Sequence, residues 1–194
     1  MTKILFYDLE TGGLNHSRHG IHELAAIYEE DGDVVKRLHV QANPWGELDP
    51  SALIKCGVTE SELRGRKGTD AGIYLSLAHV LNQHIDRFDR KDKAFRAGYN
   101  ICGFDNGFLS ALFDRNGDRY LMSYFWAGSL DVMVLAAEYL RPKVHELKDF
   151  KLGTVCRAVG IEFDDSQAHG ALYDVTKTRE LYGIVSGRVG GGLW

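Results

Sequence analysis

Cysteine, proline and long apolar runs are all scarce in this sequence of 194 residues. Its three cysteines, Cys56, Cys102 and Cys156, are odd in number and far apart. That pattern indicates free thiols in a reducing compartment and argues against a disulfide framework or a zinc knuckle. No segment approaches the roughly 18 apolar residues that a membrane-spanning helix needs. With three prolines against 22 glycines, the turns depend on glycine.

An excess of positive charge is also missing, since the formal net charge is −4. A protein that coats nucleic acid by charge alone would be basic. A nucleic-acid enzyme with a carboxylate-rich metal site stays possible, because bound cations would change that balance. The first predicted strand carries a carboxylate at Asp8, too early for a signal peptide. We therefore expect a cytoplasmic protein with no membrane partner.

The apolar pattern predicts an α/β layer fold with a mixed central sheet flanked by helices. Residues 4–9 predict a strand buried on both faces, and residues 24–28 and 34–40 continue it as a meander through the turn at Asp31-Gly32. A fourth strand is predicted over residues 95–99. Helices are predicted over residues 70–88, 105–113, 130–140, 152–159 and 171–185. Residues 1–185 then form one domain, followed by a flexible glycine-rich tail over residues 186–194.

Two carboxylates, Asp8 and Glu10, stand at the end of the first predicted strand. Residues two apart on a strand point to the same face, so their charges would repel strongly unless a divalent cation neutralised them. Such oxygen ligands suit Mg²⁺ or Mn²⁺. Taken alone, an Asp-x-Glu pair is more often two solvated acids where a strand meets a turn.

Three further residues suit the same chemistry. Asp105 opens a predicted helix, a position where a plain helix-capping Asp is common. His169 and Asp174 are five residues apart, about 140° around a helix, so they converge only if His169 precedes the helix. Gly170 makes that break plausible. A surface His and an exposed helix Asp are the plainer alternative.

Together these residues indicate a two-metal site. Carboxylates from a strand end, a helix start and a late helix can surround two cations roughly 4 Å apart, which clamp an in-line phosphoryl displacement. A histidine beside the attacking water suits general base catalysis, because its pKa lies near neutrality. Two divalent cations would balance four carboxylates, which removes the electrostatic objection to a nucleic-acid substrate.

The ordered motifs resemble those of the DEDDh 3′→5′ exonucleases, a superfamily with a ribonuclease H-like (DnaQ-like) fold. Residues 7–14 resemble the first motif, and Tyr99-Asn100 with Phe104-Asp105 resembles the second. His169 with Asp174 resembles the third motif in its histidine form. Residues 57–59, Gly-Val-Thr, resemble the family's Gly-Ile-Thr signature.

The resemblance implies a role for each matching residue. Asp8, Glu10, Asp105 and Asp174 would bind two divalent cations, Mg²⁺ or Mn²⁺, and His169 would be the general base. Leu14 would pack against the 3′-terminal base, while backbone groups of the neighbouring residues would hold the terminal sugar. The implied substrate-binding residues are Leu9, Thr11, Gly12, Leu14, Tyr99, Asn100 and Phe104.

Within the superfamily, the catalytic domain of the exonuclease I family is the most similar, over residues 98–106, 130–133, 140–142 and 150–152. That resemblance implies hydrolysis of single-stranded DNA from a free 3′-OH to nucleoside 5′-monophosphates. The sequence ends before that family's further C-terminal domains, so processivity and part of the substrate preference stay open. Exoribonuclease or oligoribonuclease-type trimming of RNA is one alternative. An inactive nucleic-acid-binding subunit is the alternative outside the enzyme class.

Other charged and aromatic clusters have plainer interpretations. Basic residues over 64–67 and 87–93 suit phosphate contacts but are more often solvated loop charge. Aromatic residues 124–126 suit base stacking but more often fill a core between helices. Trp194, after the terminal glycines, suits docking to a protein partner, although a frayed end is the plainer interpretation.

Overall fold

A five-stranded mixed sheet forms the centre of the computed structural model, which describes residues 1–187. Its order is β3-β2-β1-β4-β5, with β1, β2 and β3 antiparallel and with β4 and β5 parallel to β1. The strands are β1 (Lys3–Thr11), β2 (Ile21–Glu30), β3 (Asp33–Gln41), β4 (Ala94–Gly98) and β5 (Phe125–Asp131). This arrangement confirms the predicted mixed sheet.

Helices cover both faces of the sheet. They are α1 (Pro50–Cys56), α2 (Glu60–Gly65), α3 (Asp70–His84), α4 (Asp105–Arg115), α5 (Val132–Tyr139), α6 (Leu152–Ala158) and α7 (Ala171–Val185), with 3₁₀ turns at Leu121–Ser123 and Arg141–Glu146. None of the helices over residues 1–187 is long and apolar enough to cross a membrane.

Two apolar clusters hold the layers together, one on each face of β1. Leu5 and Tyr7 point into the cluster that contains α3 and α4. Ile4 and Phe6 point into the cluster that contains α5, α6 and α7. Because alternate residues of β1 enter opposite cores, its nearly continuous apolar sequence is explained by burial on both faces.

Several predicted elements match the structure closely. The turn at Asp31-Gly32 joins β2 to β3, and both residues have positive φ, at 49° and 97°, as a two-residue hairpin loop requires. The last helix occupies residues 171–185, as predicted. The predicted tail lies outside the described residues from residue 188 onward, and so does the docking interpretation of Trp194.

The sequence prediction was wrong at β5 and at the end of α3. Residues 125–131 form a strand, and α5 begins only at Val132, so the predicted helix over 130–140 started too early. The β4–β5 register shifts near Arg96, and residues 126–128 are exposed on this edge strand, which hides the usual alternation. α3 ends at His84 rather than at Phe88, whose side chain is 90% exposed although it continues the apolar spacing.

Candidate active site

Asp8 and Glu10 lie on one face of β1, near its carboxyl end. In the antiparallel register Glu10 is opposite Glu23 of β2, so a further carboxylate faces the same side of the sheet. Asp8 and Glu10 are half-buried, whereas Glu23 is only 8% exposed. His39 and Gln41 both bind the Glu23 carboxylate at 2.9 Å. The strand end therefore concentrates negative charge in a place with little access to water.

Asp105, the first residue of α4, joins this group from the neighbouring segment. Its Oδ1 accepts a 3.2 Å hydrogen bond from the backbone N–H of Leu9, between the two acids of β1. Burial raises the pKa of Asp105 to about 7, against the hydrogen bonds from backbone N–H groups, which lower it. The bond to Leu9 holds the second motif directly beside the first.

His169 and Asp174 come from the start of α7. His169 precedes the helix with a left-handed φ of 65°, and its backbone N–H donates to Oδ2 of Asp174 at 3.2 Å. Single ligand atoms of Glu10, His169 and Asp174 all lie within 4.8 Å of one another. The structure thus brings the third motif to the end of β1.

Burial shifts the pKa values of these acids upward, and repulsion between them adds to the shift at Asp8 and Glu10. The pKa of Asp8 rises well above its ordinary value through burial and then through the charges of Asp105, Glu10 and Asp174. Burial raises the pKa of Glu10 to about 7 and that of Asp174 to about 6. Lys55 lowers the pKa of Glu10 only in part, so the carboxylates are costly to ionise without another source of positive charge.

A divalent cation fits this donor set. Oδ1 of Asp174 is buried and has no hydrogen-bond partner among the described residues. Clustered carboxylate oxygens are the ligands that Mg²⁺ and Mn²⁺ prefer. Cations bound at Asp8, Glu10, Asp105 and Asp174 would favour the ionised carboxylates and so offset the cost of burial and the repulsion between them. The described residues therefore suit the metal site predicted from the sequence.

His169 is suited to accept a proton at neutral pH. Partial burial lowers the pKa of its imidazole, and the positive charges of Lys55 and Lys151 lower it further. A lowered pKa keeps the ring neutral, which leaves one nitrogen free to act as a base. His169 is exposed to solvent.

The residues expected to hold the terminal sugar are already engaged within the fold. The N–H of Leu9 bonds to Asp105, and the N–H of Gly12 bonds to the carbonyl of Gly20 at 2.9 Å. The Thr11 hydroxyl donates to the carbonyl of Gly13 at 2.8 Å. The N–H groups of Leu9 and Gly12 are therefore already bonded within the fold.

Leu14 and the second-motif residues occupy different surroundings. Leu14 is 77% exposed beside the site. Asn100 takes a left-handed φ of 62°, and its N–H donates to Asp131 at 3.0 Å. The Tyr99 hydroxyl donates to the Phe150 carbonyl at 2.7 Å. Separately, Phe104 packs against the ring of Phe108, with centroids 4.8 Å apart. Of these side chains, Leu14 is the one most open to a nucleotide.

Two of the basic residues suggested for phosphate contacts are bonded within the fold. The Arg64 guanidinium donates to the carbonyls of Pro44 and Gly46, each at 2.9 Å. Arg66 donates to the carbonyl of His22 at 2.7 Å. Both side chains therefore bond to backbone carbonyls of the fold, while Arg64 is also exposed to solvent.

The other basic and aromatic cluster lies around Asp118. Arg87 donates to Asp118 at 3.0 Å and to the Tyr124 hydroxyl at 2.9 Å. Tyr124 and Phe125 are buried, while Trp126 is 40% exposed. Tyr124 and Phe125 therefore belong to the core beside β5, and of residues 124–126 only Trp126 presents a ring to solvent.

Sequence reasoning missed three residues that adjoin the site. Glu23 lies opposite Glu10, and its position followed only from the strand register. The Cys56 thiol donates to Oε2 of Glu10 at 3.0 Å, and burial raises the pKa of that thiol to about 12. His22 forms a cluster with Glu10 and Cys56, and burial lowers the pKa of His22 to about 4. One available signal was the position of Cys56 directly before the Gly-Val-Thr segment.

Comparisons with known proteins agree with this geometry. A family model described as exonuclease (RNase_T) matches residues 5–182. Ribonuclease T of Photorhabdus laumondii is 29% identical over 187 residues, covering 90% of this chain and 79% of that protein. Ribonuclease T of Shewanella frigidimarina is 28% identical over 189 residues, covering 93% and 80% respectively.

Solved structures show the same fold. The crystal structure of E. coli exonuclease I in complex with a dT13 oligonucleotide matches 97% of this chain with a TM-score of 0.74 and 24% identity. This chain spans 42% of that exonuclease I chain. The likeness therefore extends over the described fold and over less than half of the larger protein.

Proposed function

Because the chain belongs to the exonuclease family, as a DEDDh-type 3′→5′ exonuclease, we propose that it hydrolyses single-stranded DNA from a free 3′-OH to nucleoside 5′-monophosphates. Membership confirms the resemblance drawn from the three motifs. The observation that carries the proposal is the convergence of Glu10, His169 and Asp174 within 4.8 Å, beside Asp8 and Asp105. Single-stranded DNA is favoured by the likeness of several segments to the exonuclease I catalytic domain.

The four acids would hold the divalent cations that this family generally uses. Bound Mg²⁺ or Mn²⁺ supplies charge neutralisation for the phosphate and a lower pKa for the attacking water. Asp8 and Glu10 present their oxygens from β1, Asp105 from the start of α4 and Asp174 from α7. Because these elements belong to one packed unit, the ligands are preorganised rather than gathered by the cation.

His169 acts as the general base in this proposal. Its ring nitrogen beside Glu10 and Asp174 accepts a proton from the attacking water, since the lowered pKa keeps it neutral at neutral pH. Attack at the terminal phosphorus breaks the bond to the 3′-oxygen of the preceding nucleotide. That oxygen leaves and becomes the new 3′-OH after protonation, and the terminal nucleotide departs with a 5′-phosphate.

A 3′→5′ exoribonuclease is the second candidate. It is favoured by the relatives named Ribonuclease T, which are 29% and 28% identical over most of this chain. Both substrates present the same phosphodiester to the acids and His169, so the proposed chemistry is shared. The two candidates differ only in how the sugar and base are accepted.

The test uses two 5′-labelled single-stranded oligonucleotides of one sequence, one DNA and one RNA. Each is incubated with Mg²⁺, with Mn²⁺ or with a chelator, and the products are resolved on a sequencing gel. We expect a metal-dependent ladder that shortens from the 3′ end, faster on DNA. Faster loss of RNA would replace the proposed substrate with the second candidate. Absence of any ladder would favour an inactive nucleic-acid-binding subunit.

A further inference from the structure

Cys56 contacts a proposed metal ligand although it lies outside the three motifs. It is the last residue of α1, and its thiol donates to Oε2 of Glu10 with an S···O distance of 3.0 Å. Both side chains are half-buried. A carboxylate bound in this way at one oxygen keeps its other oxygen, Oε1, available to a cation.

The placement of this thiol is fixed by both ends of α1. At the amino end, the N–H of Asp49 donates to the carbonyl of Gly12 at 2.7 Å. At the carboxyl end, Gly57 has a left-handed φ of 66° and its N–H bonds back to the helix. The helix is therefore anchored to the segment after β1 at Gly12 and to β1 itself at Glu10.

The neighbouring His22 does not turn this cluster into a separate cation site. One ligand atom from each of Glu10, His22 and Cys56 lies within 4.8 Å of the others. Arg66, however, approaches Nδ1 of His22 at 3.3 Å and donates to the His22 carbonyl at 2.7 Å. A guanidinium donates only, so Nδ1 is an acceptor and the ring is already held beside a positive charge. The proton of the neutral ring is then on Nε2, which is buried with no hydrogen-bond partner among the described residues, and Cys56 is the member of the cluster that bonds to Glu10.

We propose that Cys56 is a positioning residue whose thiol holds the Glu10 carboxylate in the orientation that receives a catalytic cation. Groups that orient metal ligands commonly change metal affinity about 10- to 100-fold when they are removed. The inference rests on the proposed function, since it assigns Glu10 to the metal site. Without this bond, the Glu10 side chain on β1 would be free to rotate about its side-chain torsions. Cys56 of α1 restricts that rotation.

The test compares four variants with the wild-type chain. Cys56→Val keeps much of the side-chain volume but removes the hydrogen-bond donor. Cys56→Ala removes the donor and much of the volume. Cys56→Ser keeps a donor, the hydroxyl. Cys102→Ser is the matched control, because Cys102 is an exposed cysteine outside this cluster. The primary measurement is Mn²⁺ affinity without nucleic acid, from the electron paramagnetic resonance signal of free Mn²⁺. Circular dichroism and thermal unfolding verify that each variant is folded.

We expect the Val and Ala variants to bind Mn²⁺ about tenfold more weakly. The Ser variant should stay within about threefold of the wild type, and the Cys102→Ser control should be unchanged. The Mg²⁺ concentration for half-maximal cleavage should rise in the same order, while the KM for the oligonucleotide at saturating Mg²⁺ stays near the wild-type value. That pattern separates a positioning role from a general loss of structure.

Two results would overturn the inference. One is unchanged Mn²⁺ affinity in folded Cys56→Val and Cys56→Ala. The other is an equal loss in Cys56→Ser and Cys56→Val, which would assign the effect to side-chain shape. If the wild-type chain binds Mn²⁺ but cleaves neither oligonucleotide, the proposed function fails, and the Mn²⁺ affinities still decide the role of Cys56.

Discussion

The backbone N–H of His169 donates a 3.2 Å hydrogen bond to Oδ2 of Asp174, five residues further along the chain. The bond forms because His169 precedes α7 in a left-handed conformation with φ of 65°. The proposed base and a proposed metal ligand thus share one local turn. A substitution at position 169 that disturbs this left-handed turn would therefore also change the orientation of Asp174.

His169→Asn should remove the base and keep this turn, because Asn tolerates a left-handed φ better than most residues. We expect cleavage to slow about 10²- to 10⁴-fold, with Mn²⁺ affinity close to that of the wild type. In the wild type, the cleavage rate should rise with pH as the imidazole of His169 loses its proton. That rise should be absent from the variant. Single-turnover rates across pH measure both effects, and His169→Ala provides a comparison that disturbs the turn as well. A rate within about threefold of the wild type would exclude His169 as the base.

Asp8→Asn should abolish cleavage and stabilise the metal-free chain. Burial, and then the charges of Asp105 and Glu10, raise the pKa of Asp8, so a neutral amide removes a buried charge and part of the repulsion. We expect cleavage to fall at least about 10³-fold. A gain of about 1 kcal/mol would raise the Tm in chelator by roughly 2–4 °C. Scanning calorimetry and the oligonucleotide assay measure the two effects. A lower Tm would show that the carboxylate stabilises the fold without metal.

Stability without metal should decrease as pH rises through the range where the acids ionise. The pKa values of Glu10 and Asp105 are raised to about 7 and that of Asp174 to about 6, from ordinary values of 4.5 and 3.8. The folded chain therefore binds more protons than the unfolded chain in this interval. The stability associated with these groups is full below their unfolded pKa values and is lost as pH rises through their folded values.

Divalent cations compete with protons for the same oxygens, so they should stabilise the protein more at higher pH. We expect the increase in Tm on adding Mn²⁺ to be larger at about pH 7.5 than at about pH 5.5. Thermal unfolding with Mn²⁺ or chelator at each pH measures the difference. The Asp8→Asn variant should show a smaller increase at both values. An equal increase at both pH values in the wild type would contradict this linkage.

Arg64→Ala should weaken the fold rather than nucleic-acid binding. Its guanidinium donates to the carbonyls of Pro44 and Gly46, so its loss should lower the free energy of unfolding by about 1–3 kcal/mol.

Lys151→Ala should instead weaken binding of the DNA strand, because Lys151 is close enough to His169 to lower the pKa of that residue. Affinities for labelled DNA at several salt concentrations, in the Asp8→Asn background, separate the two. The logarithmic salt slope should fall by about 1 for Lys151→Ala alone. A reduced slope in Arg64→Ala would assign that residue to a phosphate contact.

The sequence was sufficient for the mixed sheet, the last helix and the family, because each has a strong local signal. β1 is a dense apolar run that ends in Asp8 and Glu10, and α7 keeps helical spacing to Val185. The turn at residues 31–32 carries the residue pair that its geometry requires. In these segments, local preference and tertiary burial favour the same conformation.

The parts that could not be predicted depend on pairing between distant segments. β5 is defined by its parallel partner β4, and its exposed residues 126–128 carry no periodic signal. Arg64 donates to the carbonyls of Pro44 and Gly46, which are 20 and 18 positions earlier in the chain. The charge of a residue does not indicate such distant backbone partners. The contact of Cys56 with Glu10 joins residues 46 positions apart, so it depends on how the two segments fold together.

The proposed metal ligands belong to a central strand and to helices on opposite faces of the sheet. Asp105 begins α4, which packs in one apolar cluster, and Asp174 lies in α7, which packs in the other. Detachment of α7 alone would remove Asp174 and His169 while the remaining sheet stayed folded. Local opening of α7 would therefore inactivate the enzyme without melting of the whole domain. Cations bound by carboxylates from both layers would stabilise α7 against that opening.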